Sequence, residues 1–386
     1  MVKRTIFAGA DVLLSSPDLL SKLAAYPSVG MVTNPTGITK QGDPVYERLH
    51  GRIPLTALFS PEHGVRGEMQ AGAVVDAYTD DATGLTVHSL YGPGKAAAEE
   101  RLSSLGCLLF DIQDIGSRYY TFQYTLTDCM KVCASHGVPV WVLDRPPFIG
   151  CEAQGNILER RFASGVGRFP IPARTGATIG ELAKTLNDAE GIGCDLTVIP
   201  CRGISSSMFF DEGDLPLVNP SPNLTSPDCA LIYVGTCLFE GTNVSEGRGT
   251  TKPFELFGAP WLDSARLLRE LRALGEGGIL PGCLFRETFF TPTFSKYANE
   301  LCRGIQIHVT DRQAYKPFDA GVWAVTLIRR MHPEAFRHRS FLFNLFGSDA
   351  IMEDGFDPAA YLAGLEAPDG PLAEYREKLK AYRMYE

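Results

Sequence analysis

Several features are scarce or missing in this sequence of 386 residues, and each shortage removes a class of function. No apolar run approaches the ~18 residues that a membrane-spanning helix needs, so no membrane partner is expected. Basic residues are outnumbered, with 36 Lys and Arg against 45 Asp and Glu and a formal net charge of -9. Phosphate backbones call for a basic footprint, so nucleic acid is not expected as a partner. A small anionic ligand held by a local arginine cluster stays open. The ten cysteines are scattered without a CxxC, and Cys129 and Cys133 stand i, i+4 where a helix would bury both. No disulfide framework is expected. The seven histidines form neither HExxH nor HxH, so neither a metal nor a cofactor is expected. Phosphate loops are missing too. Val32-Thr33-Asn34-Pro35-Thr36-Gly37 is not GxGxxG, and Gly92-Pro93-Gly94-Lys95-Ala96 lacks the upstream Gly and the Ser/Thr of a P-loop. There are no internal repeats and no low-complexity segments.

What is present is a globular balance of 45% hydrophobic and 21% charged residues over a length that suits two domains. At the N-terminus Lys3 and Arg4 precede an apolar patch that Asp11 interrupts, with no separate cleavage region before Pro17. We read this patch as the first strand of the fold rather than a signal peptide, and expect the cytoplasm as the place of action. The first two-thirds then alternates. Strand-like runs at Val29–Thr33, Leu55–Phe59, Thr86–Tyr91, Cys107–Asp111, Val138–Leu143 and Leu196–Pro200 are separated by helix-like runs at Pro17–Tyr26, Ala96–Leu105, Thr121–His136 and Thr178–Asn187. Strands apolar throughout, divided by amphipathic helices, imply a parallel sheet covered on both faces. The Ser-, Pro- and Asn-rich stretch 203–225 reads as a junction, and the chain beyond it as a smaller α+β domain. The expected fold is thus α/β, a Rossmann-like N-terminal domain over residues 1–223 with an auxiliary domain over 224–386.

Polar groups follow the strands repeatedly: Asn34, Glu62, Tyr91, the Asp111-Gln113-Asp114 group, and Asp144 with Arg145. In a parallel sheet these ends share one edge, where α/β proteins place their chemistry. The densest is Ser60-Pro61-Glu62-His63-Gly64-Val65-Arg66-Gly67, with a carboxylate, an imidazole and a guanidinium within five residues. A second, Asp111 to Thr121, sets acids, an amide, Arg118, Tyr119 and Tyr120 between a strand and a helix, a mixture that suits a sugar's apolar face and hydroxyl rim. A third, Phe239 to Pro253, carries Glu240, Glu246 and Arg248 in a Gly- and Thr-rich loop. The plain alternatives are helix capping, local ion pairing and core filling.

Taken together, Asn34-Pro35-Thr36-Gly37, Ser60 to Gly64, Asp111 to Asp114, Arg118 to Thr121, Val142 to Pro146, Ser221-Pro222-Asn223 and Glu240 to Pro253 resemble the exo-β-N-acetylmuramidase family, in order along most of the chain. The resemblance implies a Rossmann-like domain and an auxiliary domain closing the active-site cleft. It also implies removal of terminal, non-reducing N-acetylmuramic acid from peptidoglycan fragments, with a muramoyl saccharide as substrate. The family's catalytic glutamate maps to Glu62. Two departures stand out: Pro147-Phe148 follows Asp144-Arg145-Pro146 where the family has Asn-Pro, and Arg174-Thr175-Gly176 replaces its Arg-His-Gly.

Glycoside cleavage needs an acid on the leaving oxygen and stabilisation of an oxocarbenium-like transition state. Glu62 is the expected acid. Tyr120, Asp114, Glu246 and the substrate's acetamido group all remain open as the second participant, with Tyr120 grouped with Glu62. The lactyl carboxylate of muramic acid calls for a guanidinium, from Arg66, Arg118, Arg145 or Arg248. Asn34, His63, Gln113, Asp114, Glu240 and Glu246 complete the expected substrate contacts. Two other classes are carried along: a non-catalytic amino-sugar-binding protein, and a metal-assisted hydrolase using Asp111, Asp114 and His63.

Overall fold

The structure, a computed structural model, describes residues 3–61, 64–67 and 77–386. Glu62 and His63 lie outside the described residues. Twelve strands are described: β1 Val29–Thr33, β2 Leu55–Ser60, β3 Tyr78–Thr79, β4 Thr86–Ser89, β5 Cys107–Asp111, β6 Val140–Leu143, β7 Ala153–Ile157, β8 Pro172–Thr175, β9 Leu196–Ile199, β10 Leu256–Ala259, β11 Cys283–Phe290 and β12 Cys302–Val309.

Seven of these form the main sheet in the order β3-β4-β2-β1-β5-β6-β9. All its pairings are parallel except β3 with β4. β1, β5 and β6 are buried along their whole length, which is why they read as unbroken apolar runs. Alternate residues serve opposite faces. Leu108, Phe110 and Val142 pack in one core with Leu102, Met130 and Cys133, while Cys107, Leu109 and Leu143 pack in another with Leu23, Val45 and Leu49. The chain starts in mid-sheet at β1, runs outward through β2 and β4, then returns to the other side of β1 as β5. The strand order therefore reverses between β1 and β5, where α/β sheets open a crevice at their carboxyl edge.

The second half builds a three-stranded antiparallel sheet, β10-β12-β11, with helix Ser264–Glu276 packed on it. Helices Pro227–Thr236 and Pro317–Met331 cross closely. A Cβ on Gly235 would lie 2.0 Å from the Pro317 carbonyl oxygen, so the crossing excludes any side chain there. The end of the chain does not stay with this half. Leu372, Tyr375 and Leu379 pack against Tyr124, Phe169, Leu182 and Leu186, and the Tyr385 hydroxyl donates to Asp144 Oδ2 at 2.6 Å.

Two expectations change. The N-terminal patch is not a strand: Arg4 and Phe7 make single bridges and Gly9–Leu14 is helical, with Asp11 accepting from the Ala8 N–H at its start. The antiparallel hairpin β7–β8 interrupts the expected alternation, because its strands are short and carry Gln154, Asn156 and Arg174 in buried positions.

Candidate functional site

The register sets the geometry of the edge. Thr33 pairs with Asp111 and Val32 with Phe59, so β1, β2 and β5 end level with one another. Beyond β1 the chain turns on its own side chains. Asn34 Oδ1 accepts from the Thr36 N–H at 3.0 Å and the Thr36 hydroxyl at 2.6 Å, and Thr36 Oγ1 in turn accepts from the Gln113 N–H at 2.9 Å. A Cβ on Gly37 would fall 2.1 Å from Thr33 Oγ1, so this turn closes against the sheet only with glycine. Gln113 Nε2 donates to the carbonyls of Asp114 (2.8 Å) and Pro146 (2.9 Å), joining the ends of β5 and β6.

Two acceptors are buried there with no partner among the described residues, Gln113 Oε1 and Asp114 Oδ2. Asp114 Oδ1 accepts from the Gly116 N–H at 2.7 Å, where Gly116 has φ +75°. Burial pushes the Asp114 carboxyl up to about 7, and the Gly116 N–H works in the opposite direction.

The four arginines expected on the ligand have very different surroundings. Arg145 is buried and meets Asp111 in a two-pronged pair, Nε to Oδ1 and Nη2 to Oδ2 at 2.7 Å each, while Nη1 donates to the Ile38 carbonyl at 2.9 Å. Both Asp111 oxygens are thereby engaged. Arg118 is fully buried and donates to five acceptors: Asn156 O, Asn156 Oδ1, Ile171 O, Leu345 O and Phe346 O, at 2.6 to 3.2 Å. Its guanidinium thus fastens hairpin β7–β8 to the end of helix Phe341–Phe346. Arg66, four residues beyond Glu62, donates to Asp80 and Glu47 at 2.8 Å each and keeps 41% of its side chain exposed.

Arg248 belongs to a second group. Its Nη2 donates to Glu240 Oε1 at 2.6 Å, its Nε lies 3.5 Å from Glu246 Oε1, and its guanidinium stands 5.0 Å from the centre of the Phe254 ring. Glu246 is buried and receives Lys296 Nζ at 2.8 Å. Lys296 also donates to the carbonyls of Phe239 (2.7 Å) and Val244 (3.0 Å). Sequence reasoning missed Lys296, a lone lysine remote from every motif, with no local signal to mark it.

A chain of aromatic rings connects the groups. Tyr119 meets Tyr233 edge-on at 6.1 Å, and Tyr233 meets Phe254 at 4.7 Å, beside Arg248. The Tyr120 hydroxyl donates to the Pro220 carbonyl at 2.6 Å, and its ring meets Phe122. Asn34, Gln113, Asp114 and Arg145 therefore gather at the sheet edge, and Glu240, Glu246 and Arg248 in the loop of the second half. Segment 114–120 runs between them. Arg66 stands to the β2–β4 side, and Arg118 is enclosed. Among the described residues no group of three or more His, Cys, Asp or Glu side chains is arranged to hold a metal ion. Nor is any helix among them long and apolar enough to cross a membrane.

The family model described as exo-beta-N-acetylmuramidase NamZ, N-terminal, matches residues 29–228, and its C-terminal counterpart matches residues 231–385. The peptidoglycan beta-N-acetylmuramidase NamZ of Bacillus subtilis (strain 168) is 45% identical over 343 residues, 88% of this chain and 81% of that protein. The crystal structure of a DUF1343 family protein from Bacteroides fragilis superposes with a TM-score of 0.86 at 29% identity, covering 100% of both chains. A second protein of that family and species gives 0.77 at 28% identity over 99% of each.

Proposed function

Because the chain belongs to the exo-β-N-acetylmuramidase NamZ family, we infer that it is a glycoside hydrolase that releases terminal, non-reducing N-acetylmuramic acid from peptidoglycan fragments. The observation that carries this is the 45% identity to a named muramidase across 88% of the chain, through both halves. The parent protein is expected to release free N-acetylmuramic acid from a muramoyl-glucosamine disaccharide. It should release nothing from the isomer with glucosamine at the non-reducing end. Turnover of neither would overturn the reading and bring forward a sugar-binding protein on the same scaffold.

Glu62 is proposed as the general acid. What supports it is its place in the sequence, two residues after Ser60, the last residue of β2, a strand that pairs with β1 in the main sheet. A carboxyl that must be neutral near pH 7 needs an environment that raises its pKa, as glycosidase acids generally have. Residues 1–223 are proposed as the catalytic half and 224–386 as the half that closes over it, with the Tyr119–Tyr233–Phe254 rings as the contact beside the cleft. Of the four arginines, only Arg66 and Arg248 keep substantial exposed surface, 41% and 32% of their side chains, so the lactyl carboxylate is assigned to one of these two. Asn34, Gln113, Asp114, Glu240 and Glu246 shape the edge and the loop around the sugar. The second participant is Tyr120, Asp114, Glu246 or the substrate's own acetamido group. Action on imported fragments in the cytoplasm is part of the proposal, and fractionating the native cells tests it.

A further inference from the structure

The outer surface of the second half carries a feature that the terminal-sugar site does not use. Phe289 and Phe294 are 57% and 53% exposed. With Lys252, Arg286, Thr251 and Thr293 they line a recess of about 640 Å³, within the range of small-molecule sites. Large exposed rings grouped beside polar residues mark interaction surfaces more often than idle ones.

The recess is held firmly against the Arg248 loop. Both the N–H and the hydroxyl of Thr293 donate to the Gly249 carbonyl, at 2.9 and 3.0 Å. Gly249 has φ +81°, and a Cβ there would come within 2.7 Å of the Phe294 backbone. Past Phe294, the non-glycine residues Ser295, Tyr297 and Asn299 all hold positive φ. Conformations of that kind persist where the surroundings impose them. Here Lys296 supplies the anchor, with its three bonds to Glu246, Phe239 and Val244. The exposed rings are thus fixed to the same loop that presents Glu240, Glu246 and Arg248.

The chemistry of the recess is specific. Arg286 is held by a neutral partner, Gln306 Oε1 at 2.5 Å, and makes no ion pair among the described residues. In a chain of net charge -9, a cation left without a carboxylate is suited to an anionic ligand. Aromatic faces suit the C–H faces of sugar rings, threonine hydroxyls suit their rims, and a guanidinium suits a carboxylate in two bonds. A peptidoglycan strand offers all three in sequence: sugar faces, hydroxyls, and the carboxylates of lactyl groups or stem peptides.

We propose that Phe289, Phe294 and Arg286 form a secondary binding surface for the glycan beyond the terminal muramic acid, so that longer strands engage the enzyme more tightly than the disaccharide. This rests on the muramidase reading above. The test compares the parent with Phe289→Ala/Phe294→Ala and with Arg286→Gln. Each is assayed on the muramoyl-glucosamine disaccharide, on a longer strand without stem peptides, and on the same strand carrying them. The double variant should keep parental kcat and KM on the disaccharide and raise KM on the longer strand about tenfold, the order of loss seen when aromatic contacts are truncated at an interface. Arg286→Gln should weaken the peptide-bearing strand most. Equal losses on disaccharide and strand, or no loss on either, would overturn the proposal. Binding of the longer strand by calorimetry, in a Glu62→Gln background, separates the two readings. Weaker binding in the aromatic variant supports the surface even if the parent turns over nothing. Unchanged binding in a parent that does turn over sinks the surface and leaves the muramidase. Should the double variant melt below the parent, Phe294→Gln alone is carried through the same assays.

Discussion

Replacing Arg118 separates two jobs that its place beside Tyr119 and Tyr120 leaves open, ligand contact and internal fastening. In Arg118→Leu three acceptors, Asn156 O, Asn156 Oδ1 and Leu345 O, lose the donor that Arg118 supplies, whereas Ile171 O keeps the Leu158 N–H at 3.3 Å and Phe346 O keeps the Asn156 Nδ2 bond at 2.7 Å. A buried acceptor left without its donor costs about 1–3 kcal/mol. Three such losses are offset in part because burial already disfavours the charge, pulling the Arg118 pKa below its ordinary value. A net destabilisation of about 3 kcal/mol or more follows. At a urea dependence of about 3 kcal/mol per molar, the unfolding midpoint should fall by about 1 M. Arg118→Lys keeps three donors and should lose roughly half as much. Unfolding followed by tryptophan fluorescence, with KM for the disaccharide measured on the folded fraction, reads both quantities. A variant as stable as the parent with a sharply raised KM would refute the fastening role and return Arg118 to the ligand.

The remaining predictions concern the sheet edge. Removing one partner of the buried Arg145–Asp111 pair, as in Asp111→Asn or Arg145→Met, should cost about 3–5 kcal/mol, and the double change Asp111→Leu/Arg145→Met should recover part of it in the same denaturation assay. Asp114 titrates in the folded protein at about 7, above the unfolded value of about 4. Between those limits the folded state holds a proton that the unfolded state has released. The resulting stability is fully present below about pH 4 and lost as pH rises through about 7, up to about 4 kcal/mol in all. Asp114→Asn should flatten that slope between pH 5 and 8, and an unchanged slope would show that another group is responsible.

The strands that the sequence made legible are those buried on both faces. Cys107–Asp111 and Val29–Thr33 have no polar residue until the edge, and a parallel sheet leaves no other place for such runs. Hairpin β7–β8 was not legible, because Gln154, Asn156 and Arg174 are buried there, Asn156 by Arg118, Phe346 and Tyr361 from distant parts of the chain. The N-terminal patch misled for a related reason: helix Gly9–Leu14 is apolar on nearly every side because it is enclosed. At the site, the polar strand ends were visible as residues but their employment was not. Asp144, alike in type to Asp111, serves the Thr178 hydroxyl and the Gly180 N–H at the start of a helix. Arg145 and Arg118 look the same in a sequence as an arginine that faces solvent. Their acceptors, from Ile38 to Phe346, are brought together only by the fold.

The most direct test is release of N-acetylmuramic acid from the muramoyl-glucosamine disaccharide by the parent and by Glu62→Gln, side by side. Both proteins must first show the same melting behaviour. The account predicts release by the parent and a loss of at least about a hundredfold in the variant, the contribution expected of a general acid. Release by both at comparable rates would contradict it, leaving the reaction in place and moving the acid to another residue of the edge or the loop.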